Sequence, residues 1–368
     1  MTSLETVLAL NLLPGIGPVR ISRLLENFGN ADRVLHASVN ELLRTDGIGP
    51  ETAKLIVSWQ DQVDPVKEIA EANERGISII TREDEDYPQH LLQAYDAPIV
   101  LYVWGKILPR DRHAVSVVGS RRSTTYGMSV TKKLTYQLAH AGFTIVSGLA
   151  RGIDTAAHEA ALAAKGRTIA VVGSGLARLY PPENMALAEK IADGNGAVIS
   201  EFPLHKAPDK QTFPIRNRIV AAWCQAVLVT ECPAWSGTLI TANLASEYGK
   251  PIFAVPGPID KPTSAGCHQL IREGATLVTD ASQIIDDMGE LPFSPANRGL
   301  SDEFAPEPAL PEEEEKIYAA MPEGEEMAVD QLIGVTGLAS SAVTAGLFKL
   351  ELRRLIRPLP GFRFIRRS

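Results

Sequence analysis

The chain has 368 residues, 45% of them hydrophobic and 22% charged, with a formal net charge of -8. That length implies two or three domains rather than one core, and without an apolar run of about 18 residues no spanning helix is expected. Cys224, Cys232 and Cys267 form no C-x-x-C pair, which excludes a disulfide scaffold and a thiolate zinc site and suits reduced thiols in a cytoplasmic protein.

The opening "MTSLETVLALNLLPG" carries Glu5 and no basic region, so no signal peptide is expected. Residues 1–75 read as short helices interrupted by "LLPGIGPVRISRLL" and "DGIGPETAKLIV". The shared Gly-Ile-Gly-Pro is an internal repeat of the helix-hairpin-helix (SAM-like) type. Its glycines expose backbone N–H groups at helix mouths, which suits a phosphate. With only Arg20, Arg23 and Lys54 as nearby cations, a purely structural cap remains the alternative.

Residues 76–290 are expected to form an extended Rossmann-like domain. After a connecting segment, seven short apolar runs beginning with "AVSVVG" at 114–119 and ending with "TLVTD" at 276–280 alternate with helix-length stretches. This predicts a doubly wound, mostly parallel α/β sheet with its ligand at the carboxyl ends of the strands. Residues 291–311 read as an acidic, proline-rich linker. Residues 312–368 read as three helices and a β-wing, a winged-helix domain. Its third helix, "LASSAVTAGLFKLELRRL", is poor in donors, so protein contact suits it at least as well as duplex DNA.

An acidic chain is a poor coat for nucleic acid, but the charge is local. Residues 301–315 hold seven acids and no base, and 352–368 hold six arginines and no acid. The strand ends of the central domain look adapted to anions. Gly119 and Ser120 make a tight turn before Arg121 and Arg122; Gly148 and Gly152 flank Arg151; Ser236, Gly237 and Thr238 stand at a helix start. Helix N-termini converging on one edge are expected to form a phosphate shelf needing no net basic charge.

A dinucleotide is excluded: "GSGLAR" has Arg178 where the third glycine belongs, and no acid ends the second strand. No G-x-x-x-x-G-K-[ST] motif occurs, so no P-loop is expected. In "TFPIRNRIVA", Pro214 suits a first helical turn and puts Phe213 at the helix mouth, sharing a face with Arg216. Arg218, two residues on, faces elsewhere and is expected to pair with an acid such as Glu201. Lys210 adds a mobile cation and Asn217 a further donor. An exposed ring beside cations is the composition of a single-strand nucleic-acid site.

Together "VVGSRRSTTYG", "IVSGLARGIDTAAH", "FPIRNRIVA" and "SGTLITANLASEYGKPIFAVPG" resemble the DNA-processing protein A (DprA, or Smf) family over about residues 110–285. The resemblance implies a bacterial cytoplasmic protein that protects incoming single-stranded DNA during natural transformation and loads the RecA recombinase onto it. It implies a homodimer through the Rossmann-like domain, around Ser264 to Ala275, with no cofactor, metal or membrane. It carries DNA contact onto Arg121, Lys210, Phe213 and Arg216, with Gly148, Arg151 and Gly152 as its second glycine turn. A nucleotide- or phosphoribosyl-processing enzyme is the alternative on such a fold. Against it, "WSGTLITAN" puts Leu239 and Ile240 where that chemistry needs a carboxylate, and no histidine pair or triad spacing supports catalysis.

Overall fold

The computed structural model describes residues 1–289, 311–322, 326–352, 355–359 and 363–366. They fall into two compact units, one before and one after residues 290–310. The linker expected at 291–311 lies outside the described residues, Pro311 excepted.

In the first unit, short runs rich in Val, Ile and Ala form nine strands of one sheet. They are β1 (Ile77–Thr81), β2 (Val100–Gly105), β3 (Ala114–Val118), β4 (Thr144–Ser147), β5 (Thr168–Val171), β6 (Gly196–Ser200), β7 (Ala226–Val229), β8 (Ile252–Ala254) and β9 (Thr276–Leu277). Their order is β1-β2-β6-β5-β4-β3-β7-β8-β9. Strands β3 to β9 run parallel, and β1 and β2 join antiparallel beside β6. Strands β3 to β7 are buried at every position, as a sheet covered on both faces requires. The chain lays β4, β5 and β6 to one side of β3, then returns to lay β7, β8 and β9 on the other. The switch point therefore lies between β3 and β7, where an open α/β sheet offers its crevice.

Both Gly-Ile-Gly-Pro hairpins open helices, Pro18–Phe28 and Pro50–Val57, each with proline in its first turn where a missing N–H costs nothing. These helices do not stand apart from the sheet. Ile21, Leu24 and Ile56 share one core with Val100, Tyr102, Ala170 and Val198, and the Tyr102 hydroxyl donates to Glu68 at 2.9 Å.

Beneath β4 and β5, the helix Ile153–Ala163 buries His158 completely. The Thr168 hydroxyl donates to the Ile145 carbonyl, so it accepts from His158 Nδ1 at 2.7 Å, while Nε2 accepts from the Leu149 amide at 3.3 Å. The ring is thus neutral, and burial, reinforced by the Arg216 charge, pulls its pKa down to about 3. An unfolded histidine titrates near 6.5, so His158 favours the fold fully above that pH, and this contribution is lost as pH falls from about 6.5 toward 3. Acidification to pH 5 is expected to cost about 2 kcal/mol through this one group. Urea denaturation across pH 7 to 5 checks it: the change should shrink by that amount in His158→Asn, and equal pH dependence in both proteins would refute it.

In the second unit, β10 (Glu326–Ala328), β11 (Ile356–Leu359) and β12 (Arg363–Arg366) form an antiparallel sheet in the order β10-β12-β11. The helices Glu312–Ala319, Val329–Thr336 and Ser340–Leu352 enclose Ile317, Met321, Leu332, Leu347 and Ile356. This is a winged-helix arrangement, with Arg366 stacked 4.0 Å over the Tyr318 ring.

Candidate nucleic-acid interface

Each segment leaving the carboxyl end of β3, β4, β5 and β6 sends one side chain to a common rim. After β3 comes Arg121, after β4 Arg151, after β5 Tyr180, and after β6 Phe213. They line a pocket of about 190 Å³ together with Arg122, Gly148, Ala150, Pro181 and Arg216. Phe213 sits in the first turn of the helix Thr212–Trp223, half-buried against Gly173. The Arg121 guanidinium lies 4.8 Å above its ring, and the Tyr180 ring is 5.8 Å away at 50°. Arg151 stands 5.9 Å over Tyr180 and is bound by Glu183, which raises its pKa. Two rings and two solvent-exposed guanidiniums thus alternate around one opening, with a carboxylate on Arg151 where an anion would sit.

Arg216 forms the floor. It is 3% exposed. Its Nη1 donates to the carbonyls of Gly148 (2.6 Å) and Val171, and its Nε donates to Asn217 at 3.2 Å. Asp154, also buried, faces it; burial raises the Asp154 pKa, against the pull of Arg216. Burial lowers Arg216 to about 10, which leaves it charged at neutral pH. The turn above is held by specific bonds. Leu149 takes left-handed backbone (φ 55), held through its amide by His158 and through its carbonyl by Asn184, against a cost of about 1–2 kcal/mol. Gly152 must be glycine: its φ is 78, and a Cβ would lie 2.4 Å from the Ser120 carbonyl. At Gly148 a Cβ would meet the Asp154 carboxylate at 2.6 Å and Arg216 at 2.8 Å, so only a bare backbone lets the floor close.

At two of the expected helix mouths the amides are already bonded within the protein. At the helix Thr125–His140, the Thr124 amide and hydroxyl both donate to buried Glu231, at 2.8 and 2.7 Å. At the helix Ile153–Ala163, the Ile153 amide bonds the Ser120 carbonyl, the Thr155 amide bonds Ala150, and Asp154 takes the Ala150 amide. Buried N–H groups must find partners within the protein, and backbone carbonyls and two carboxylates supply them here. At these two mouths anion capacity therefore rests on the nearby guanidiniums.

The remaining expected residues divide. Ser120 is buried and its Oγ accepts from the Arg122 amide, so it and Gly119 shape the turn rather than line the pocket. Lys210 is exposed outside the pocket. Asn217 also lies off it, donating to the Gly237 carbonyl at 3.3 Å, while Ser236 caps its own helix through the Thr238 amide. Arg218 is buried and paired with Glu201 and with Asp96. Sequence reading passed over Tyr180, whose signal was an aromatic beside two prolines in "LYPPEN", after a strand already recognised as ending in glycines.

A doubly wound sheet with an aromatic and arginine rim at its carboxyl edge, a helix-hairpin-helix segment before it and a winged helix after it defines a nucleic-acid-handling class of protein. The profile of DNA recombination-mediator protein A matches residues 78–289, that of the DprA winged helix domain 302–361, and that of the SAM-like helix-hairpin-helix tandem 7–58. The chain belongs to the DNA recombination-mediator protein A (DprA/Smf) family. It is 35% identical to Protein Smf of Synechocystis over 98% of both chains. The X-ray structure of DNA processing protein A from Streptococcus pneumoniae superposes with a TM-score of 0.69 at 35% identity, over 78% of this chain and 98% of that one. DNA processing protein A from Helicobacter pylori, described for its single-stranded DNA binding mode, gives a TM-score of 0.52 at 32% identity over 58% and 95% of the two chains.

Proposed function

We propose that this protein is a single-stranded DNA-binding recombination mediator that protects incoming strands and loads the RecA recombinase onto them during natural transformation. The observation that carries the reading is the pocket: exposed Arg121 and Arg151 stand over the rings of Phe213 and Tyr180, so one opening offers phosphate contacts and base-stacking faces together. Stacking on a π-face tolerates any base, which suits a strand of unknown sequence. The Helicobacter relative's single-stranded DNA binding supports the same ligand class here.

Arg121, Arg151, Phe213 and Arg216 with Gly148 and Gly152 form the centre of this proposed interface. Gly119, Ser120 and Arg122 shape its entrance, and Lys210, Asn217 and Ser236 to Thr238 extend it along the rim. Family membership is what supports RecA loading, cytoplasmic location and a homodimer. For the last, the helix Ala265–Arg272 is flanked by apolar side chains open to water, Ile259 at 95% and Leu277 at 47%. The segments 1–75 and 312–368 are accessory to 76–290, the latter offering duplex DNA or a protein a docking surface. Among the described residues no helix is long and apolar enough to cross a membrane.

The test is a salt titration of oligo(dT) binding to the full-length protein and to Arg121→Ala. Removing one single-strand phosphate contact should weaken binding and lower the log–log salt slope by about 0.7. A variant with the parent's affinity and slope would remove Arg121 from the interface, and a parent that does not bind oligo(dT) would end the reading.

A further inference from the structure

Trp235 is 98% exposed, in the loop between β7 and the helix Gly237–Glu247. Water around a whole indole is costly, and nothing in the packing of the first unit requires the ring to be there. The loop that carries it is tied down by three contacts, two of them to elements of the pocket. The Ser120 amide donates to the Glu231 carbonyl at 2.8 Å, tying the loop after β7 to the turn that carries Arg121. Asn217, one helical turn beyond Phe213, donates to the Gly237 carbonyl at 3.3 Å, tying it to the Phe213 helix. The Gly266 amide donates to the Cys232 carbonyl at 2.7 Å and holds the loop from its other side.

Strands β3 and β7 are neighbours, spaced about 4.8 Å as paired strands are. Strand order places the exits along the carboxyl rim as β6 (Phe213), β5 (Tyr180), β4 (Arg151), β3 (Arg121) and β7 (Trp235), with the Arg121 side chain reaching back to 4.8 Å from the Phe213 ring. Two rings and two cations at the exits of β6 to β3, and a further ring at the exit of β7, supply stacking faces and phosphate contacts for one strand. The backbone beside the indole is also bare: a Cβ on Gly237 would meet no atom within 4 Å, so a polynucleotide can approach closely there.

Resting on the single-strand reading above, we propose that Trp235 is a second stacking platform, which carries the bound strand out of the Phe213 pocket and across the switch point between β3 and β7. The strand's bases stack on Phe213 and Tyr180 at one end of the rim and on Trp235 at the other, with Arg121 holding the phosphates between.

The four tryptophans make the test direct. Trp59 and Trp223 are buried and Trp104 is half-buried, so Trp235 supplies the solvent-exposed emission. Titrating full-length protein with oligo(dT) should quench that emission and shield it from acrylamide, whereas an abasic oligonucleotide of equal length should not. Trp235→Ala should lose the quench and bind oligo(dT) about 5- to 150-fold more weakly, with Trp235→Phe largely restoring affinity. Parent-like affinity in Trp235→Ala, while Arg121→Ala still binds weakly, overturns this inference and leaves the pocket intact. Absence of binding in every protein overturns the reading beneath it. A change of oligomeric state on sedimentation of Trp235→Ala would assign the indole to a protein contact instead.

Discussion

Arg216→Ala is expected to destabilise the first unit by about 3–5 kcal/mol, a larger effect than any it has through a lost DNA contact. The side chain is a strut. Its Nη1 serves the carbonyls that end β4 and β5, at Gly148 and Val171, and its charge faces a buried carboxylate. Truncation leaves Asp154 buried without its counter-charge and strips a hydrogen bond from each carbonyl, which is the costly way to break a buried pair. Asp154 can escape part of the cost by taking a proton, the direction in which burial already moves it. Two comparisons separate strut from ligand. In urea denaturation, Asp154→Asn combined with Arg216→Met should be more stable than Arg216→Ala alone, because both buried charges go together. Should Arg216→Ala unfold at the parent's midpoint while its oligo(dT) salt slope falls, the guanidinium is a phosphate ligand and the strut assignment is wrong.

The same residue marks the limit of what the sequence disclosed. Spacing put Arg216 on the Phe213 side and turned Arg218 away toward Glu201, and both directions follow from helical geometry alone. Depth does not follow from it. Arg216 is buried because Gly148 lacks a Cβ, a contact between residues 68 apart in sequence that no local pattern encodes. The parallel sheet was legible because its strands are apolar on both faces, and the glycine turns because few other residues fit there. The helix N-termini misled for a related reason. A glycine before a helix shows that its amides are bare of side chain, but not that Glu231, about a hundred residues downstream of Thr124, arrives to cap them. Tyr180 was missed because it gains meaning only from Phe213, which another strand's exit brings to 5.8 Å.

Phe213→Ala is the substitution expected to cost most in binding, about 1–3 kcal/mol of single-strand affinity, or roughly 5- to 150-fold in Kd. Its ring is half-buried, with Gly173 packed against it and Arg121 over it, so a base that stacks here displaces that guanidinium toward the phosphates. Truncation removes that platform and the surface over which Arg121 is poised at 4.8 Å, so stacking and phosphate contact weaken together. Folding should change little, because the core of this helix is built by Ile219, Val220 and Trp223 further along. Phe213→Tyr should bind within a few-fold of the parent, since the ring and its π-face persist. Tyr180→Ala completes the argument. If the two rings hold one base between them, Phe213→Ala and Tyr180→Ala combined should lose less than the sum of the single losses. If each ring stacks its own base, the losses should add. A Phe213→Ala protein that binds oligo(dT) as the parent does, and still distinguishes it from an abasic strand, would mean that the bases stack elsewhere and that this ring only closes the helix mouth.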